Sequence, residues 1–82
     1  MKTWSVEYKD HRIDVKNGWL AGEQLIVDGE LQDLRAGLAM RSRLYGQIKS
    51  GDGQGEQIKI SLGGWWTVKC HIFIGDNHVF SG

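Results

Sequence analysis

The sequence predicts an all-β domain, a compact antiparallel β-sandwich or flattened barrel of about seven short strands. Three observations carry that expectation. In the stretch 58–80, IKISLGGWWTVKCHIFIGDNHVF, Ile58, Ile60 and Leu62, then Trp66, Val68, Cys70, Ile72 and Ile74, alternate with polar or aromatic residues. Strict period-two alternation of this length marks strands with one side on a core. Turn signals recur about every eight to twelve residues, among them Asn17-Gly18, Asp28-Gly29 and Gly75-Asp76. Proline is absent, so register must rest on glycine turns and on the alternation itself.

The first strand reads as Trp4-Ser5-Val6-Glu7-Tyr8, with Trp4, Val6 and Tyr8 on one side. Lys9-Asp10 is a short polar turn into a second strand over 11–16, which groups His11, Ile13 and Val15. Trp19-Leu20-Ala21-Gly22 follows as a loop or bulge. Leu25, Ile26 and Val27 lead into Asp28-Gly29 and out through Glu30-Leu31. Asp-Gly between extended runs is a strong hairpin signal, because both residues accept positive φ.

Over 31–37, Leu31 and Leu34 stand at helical spacing and could form a helical turn. From 38 to 48, Leu38, Met40, Ser42, Leu44 and Ile48 alternate with Arg41, Arg43, Tyr45, Gln47 and Lys49. A helix would align Ala36, Met40 and Leu44, but Gly37 and Gly46 weaken it, so a strand is favoured. The run Ser50-Gly51-Asp52-Gly53-Gln54-Gly55 is a flexible hairpin tip across which this strand should pair with 58–62. After Gly63-Gly64 the chain should run extended through 65–74. Gly75-Asp76-Asn77-His78 then turns it into a last strand at Val79-Phe80.

Length allows one domain over 1–82, and the closeness of its end to a strand fits the N-terminal part of a longer protein. Ten Lys and Arg balance ten Asp and Glu, which argues against a dedicated binder of nucleic acid or acidic membranes. No apolar run is long enough to span a membrane as a helix. The single cysteine excludes an internal disulfide and fits a reducing, cytoplasmic compartment.

Trp4-x-Val6, the His11-x-Ile13-x-Val15 strand and the Val27-Asp28-Gly29-Glu30 hairpin, followed late in the chain by Ile58-x-Ile60 and Ile72-Phe73-Ile74, resemble the β domain of the Fas apoptosis inhibitory molecule family. The resemblance covers about half the chain. It implies a compact antiparallel β-sandwich that binds other proteins and has no known catalytic centre.

The residues themselves offer little catalytic chemistry. Cys70 and His71 fall on opposite faces of one strand and cannot share a metal. A metal site would need His11 and His78 to converge, so surface histidines and a buried thiol are expected, with no metal and no cofactor. Cys70 alternates with Val68 and Ile72, where burial makes a thiol inert. No G-x-S-x-G turn exists, the aspartates Asp10, Asp28, Asp52 and Asp76 lie in turns, and the glycine run before Glu56 lacks the helix and Lys-Ser/Thr of a phosphate loop. The chain is therefore expected not to be an enzyme.

The other sheet face is more suggestive. Arg41, Arg43, Tyr45 and Lys49 share one side of their strand, and Lys59, then Trp65, Lys69, His71 and Phe73, share the corresponding side of the next two. If these strands are neighbours, basic and aromatic side chains interleave on one surface. Such a surface suits a protein partner or a second copy of the chain, bound through aromatic and arginine anchors. The alternative is a small anionic ligand or single-stranded nucleic acid, stacked on the rings and neutralised by the cations.

Overall fold

A computed structural model describes residues 2–18, 22–35, 41–64 and 67–82. Among these the chain is all-β. The strands are β1 (Lys2–Tyr8), β2 (His11–Gly18), β3 (Gly22–Val27), β4 (Glu30–Arg35), β5 (Arg41–Gln47), β6 (Gln57–Gly63), β7 (Lys69–Ile74) and β8 (Asn77–Ser81). There are thus eight strands among the described residues, one more than expected. They form two four-stranded antiparallel sheets, ordered β1-β2-β3-β4 and β5-β6-β7-β8.

Two-residue hairpins set three of the six registers, those of β1–β2, β3–β4 and β7–β8. Lys9 and Asp10 have φ of 47° and 65°, and Asp28 and Gly29 have 51° and 82°. Positive φ at both central positions gives a turn whose twist matches that of the flanking strands. Alternation then sends one face of each sheet inward. Trp4, Ile13, Val15, Leu25 and Val27 from the first sheet meet Leu44, Ile48, Ile58, Ile60, Leu62, Cys70, Ile72 and Ile74 from the second in one core. The two sheets are therefore packed face to face as a sandwich.

The expected pairing of β5 with β6 is present, in a register that sets Leu44 opposite Ile60 and Gln47 opposite Gln57. Of the expected strand over 38–48, residues 38–40 lie outside the described residues. The hairpin tip between β5 and β6 is wound by internal bonds rather than open. Ile48 N–H donates to Glu56 O and Gly55 N–H to Ile48 O, while Gly51, Gly53 and Gly55 all take positive φ.

Two expectations fail. Residues 31–35 do not form a helical turn; they belong to β4. A β-bulge explains the misleading spacing. Leu31 faces Ile26 and Leu34 faces Gln24, while Leu25 faces Asp33, which leaves Gln32 as the extra residue. The bulge shifts the alternation by one, so both leucines point outward and are about half exposed. The strand expected over 65–74 is also shorter, because Thr67 and Val68 precede β7. Trp65 and Trp66 lie outside the described residues, as does Trp19 of the expected loop.

Gln32 has a structural task. Its amide Nε2 donates to Gln47 O at 2.9 Å, and its Oε1 accepts from Gln47 N–H at 2.8 Å. Asp33 Oδ2 accepts from Tyr45 N–H at 2.8 Å, and Arg35 Nε donates to Arg43 O at 3.3 Å. Side chains of β4 thus satisfy the outer edge of β5 where no backbone ladder joins the sheets. An open strand edge is a template for unwanted pairing, and this arrangement blunts it.

Cys70 sits in the core as its alternation requires, fully buried, with its main chain paired to Gly82 at 2.7 and 2.9 Å. Burial pushes its thiol up to about 12. The thiolate is the reactive form, so Cys70 should label far more slowly in the native protein than in urea. Native labelling at the unfolded rate would contradict this packing.

Candidate functional site

The outer face of the β5–β8 sheet gathers most of the expected binding residues. Register places Tyr45 opposite Lys59, Lys59 opposite Phe73, and Phe73 opposite His78, so one row crosses all four strands. A second row runs from Arg43 through Ser61 and His71 to Ser81. Directly opposed side chains stand about 4.5–5.5 Å apart at Cβ, close enough to act as one surface. Tyr45 is an exposed ring, and Arg43, Lys59 and Lys69 are exposed as well. Phe73 is half-buried under a stacked His78 ring, with centroids 4.7 Å apart and planes 23° from parallel.

Lys49 and Trp65 stand differently from the expectation, while Arg41 keeps its place in the strand. Lys49 lies beyond the end of β5, and its ammonium pairs with Glu30 Oε1 at 2.6 Å, which draws it toward the other sheet. Arg41 occupies β5 opposite Gly63. Trp65 lies outside the described residues, so the face is built here without it.

Charge is segregated between the sheets. Strands β5–β8 contain Arg41, Arg43, Lys59 and Lys69 but no Asp or Glu. Strands β1–β4 carry Glu7, Asp14, Glu23, Glu30 and Asp33 among their bases, and some are paired locally, as Arg12 with Asp14 at 3.1 Å. In a chain of zero net charge, the exposed Arg43, Lys59 and Lys69 therefore lie together on strands without a carboxylate of their own.

His11 contradicts the expectation of a surface histidine. It is buried, its Nδ1 lies 2.6 Å from Asp28 Oδ2, and its Nε2 lies 2.8 Å from Asp52 O. Both partners accept, so the doubly protonated ring satisfies both. The Asp28 bond, then the Asp52 carbonyl, raises the His11 pKa. Asp28 is correspondingly lowered, first by His11 and then by the Arg12 N–H at 2.9 Å. An imidazole–carboxylate pair also orients nucleophiles in hydrolases. Here the second nitrogen is spent on a main-chain carbonyl, and among the described residues no hydroxyl or thiol is bonded to it.

Beside it, Tyr8 Oη donates to Glu56 Oε2 at 2.6 Å and Lys9 Nζ to Glu56 Oε1 at 2.7 Å. Lys9, then Tyr8, lowers the Glu56 pKa, and the Glu56 bond raises that of Tyr8. Together these contacts tie the β5–β6 loop to the β1–β2 and β3–β4 turns. Their purpose is closure of one end of the sandwich.

That closure should depend on pH. A histidine raised on folding contributes fully below its ordinary value of 6.5 and loses the contribution as pH rises through its folded pKa. The lowered Asp28 contributes above its ordinary 3.8 and fails as pH falls through its folded pKa. Urea midpoints should therefore decline from pH 6 toward pH 9, and Asp28→Asn should flatten that slope. An unchanged slope in the variant would show that the pair does not carry it.

The sequence reading missed the convergence of His71 and His78, whose Nδ1 and Nε2 stand 3.2 Å apart. The two-residue Gly75-Asp76 turn was the available signal, since it sets position 73 opposite 78 and position 71 diagonal to it. Among the described residues no group of three or more His, Cys, Asp or Glu side chains could hold a metal ion. No helix among them is long and apolar enough to cross a membrane. No protein-family model, curated protein or solved structure matches this chain.

Proposed function

We propose that this domain is a non-catalytic interaction module that binds a protein partner, or a second copy of itself, through the outer face of the β5–β8 sheet. The observation that carries the reading is the segregation of charge. Four basic residues and no carboxylate occupy these strands, with Tyr45 and Phe73 set among them. Uniform sign steers a partner of opposite charge, which favours an acidic protein over a second copy, and the rings supply anchoring area for either. The resemblance to the Fas apoptosis inhibitory molecule family supports a binding role and adds no residue assignment.

A photo-crosslinking amino acid replacing Tyr45 tests it. In living cells it should give one dominant protein adduct, or in purified protein a dimer that also appears by sedimentation. Either product should be lost with Lys59→Glu while the fold is retained. Absence of any adduct, together with a strict monomer, would sink the proposal.

The alternation of rings with cations also favours a second reading, an anionic ligand or single-stranded nucleic acid. Fluorescence anisotropy with a single-stranded oligonucleotide distinguishes the two. Saturable binding of the oligonucleotide that weakens steeply with added salt supports the second reading, and no binding even at low salt removes it.

A further inference from the structure

We propose that His71 and His78 form a two-nitrogen site for a late first-row divalent cation, zinc or copper(II). This inference does not depend on the interaction reading. His71 Nδ1 and His78 Nε2 approach to 3.2 Å, and their ring centroids lie 5.2 Å apart with planes tilted by 39°. Two imidazole nitrogens each bound to zinc at about 2.0–2.1 Å, at the tetrahedral angle, stand roughly 3.3 Å from each other. The observed separation is therefore the spacing that chelation requires. In the metal-free pair one of these nitrogens donates its N–H to the other; moving that proton to the far nitrogen of its ring, with a modest rotation, aims both lone pairs at a shared ion.

The sheet prepares the pair. His71 is held by the β6–β7 and β7–β8 ladders, and the Gly75-Asp76 turn sets His78 directly opposite Phe73. Phe73 stacks on His78 and restricts its ring, which reduces the ordering cost of binding. The two ligands come from adjacent strands joined by a two-residue turn, so the backbone fixes their separation. Imidazole suits zinc and copper rather than the harder magnesium or calcium. Two protein nitrogens leave the remaining positions to water, with Ser61 and Ser81 as the register neighbours of His71. Lys59 and Lys69 on the same face repel a cation and hold the site to modest affinity.

This chain also offers a clean control. His11, the remaining histidine, is buried with both nitrogens engaged, and Cys70 is buried. A response to metal at imidazole therefore reports on His71 and His78. The experiment is a zinc chloride titration of the 82-residue chain, followed by long-range nitrogen–proton NMR of the histidine rings. The expected result is saturable movement of both rings at one equivalent, no movement of His11, and reversal by a chelator. His71→Gln and His78→Gln should each weaken binding by about tenfold or more, since losing even an outer partner of a ligand costs about 10–100-fold. Failure of both rings to respond at millimolar zinc, or response of either ring unaffected by loss of the other, would overturn the site. Amide spectra establish that each variant is folded, and the wild-type ring response decides the matter should one of them not fold.

Discussion

Ile60→Ala is expected to remove about 2–5 kcal/mol of folding stability, the range for emptying a fully buried isoleucine site. Ile60 sits on the interior strand β6, directly between Leu44 and Ile72, and all three are fully buried. Neighbours on two flanking strands cannot follow the missing atoms without moving their own ladders, so little of the cavity would collapse. Domains carry roughly 0.05–0.15 kcal/mol of net stability per residue, so this one change threatens a large share of the total. Urea unfolding should show a lower midpoint with an unchanged slope. Leu31→Ala, at a half-exposed position, should shift it by no more than about 0.5 kcal/mol. Equal losses at the two positions would mean that the core does not lie between the sheets.

A second large effect is expected at Gly46. A Cβ there would stand 2.3 Å from Gln32 Oε1 and 2.8 Å from Leu25 Cδ2. Neither distance is sustainable. Gly46→Ala should expel the Gln32 amide from its two bonds to Gln47 and press on Leu25, a loss of about 2–4 kcal/mol from both causes together. Gln32→Ala removes the bonds but opens the space. The double variant should therefore be more stable than the sum of the single losses allows, because the clash with Gln32 is counted only once. Strict additivity would show that the glycine is not there for Gln32.

The residues that made the fold legible are those whose pattern is purely local. Lys9-Asp10 and Asp28-Gly29 announced their hairpins, and the alternation from Ile58 to Leu62 and from Cys70 to Ile74 announced the buried face. Cys70 was placed correctly by parity alone. What misled was a parity break: the bulge at Gln32 set Leu31 and Leu34 on the same side and imitated a helical stripe. No single-strand pattern reveals a bulge, because the extra residue is defined by the opposite strand. The basic and aromatic row was legible for the same reason as the core, as its mirror on the other face. The burial of His11 was half legible: its parity matched Ile13 and Val15, but the two acceptors that hold it come from separate loops, 17 and 41 residues away.

Each sheet is made from four successive strands, so every backbone ladder joins neighbours in sequence. This has a kinetic consequence. Hairpins of two-residue turns close short loops, which cost little chain entropy, and topologies dominated by such pairings fold faster than those that cross between sheets. No ladder in either half of the chain needs a strand from the other. The long-range work of folding then falls to side chains, with Gln32 reaching β5, His11 reaching Asp52 and Tyr8 reaching Glu56. The core nevertheless draws Val15 from one half and Leu44 and Ile60 from the other, so neither sheet buries its inner face until the two halves of the chain meet.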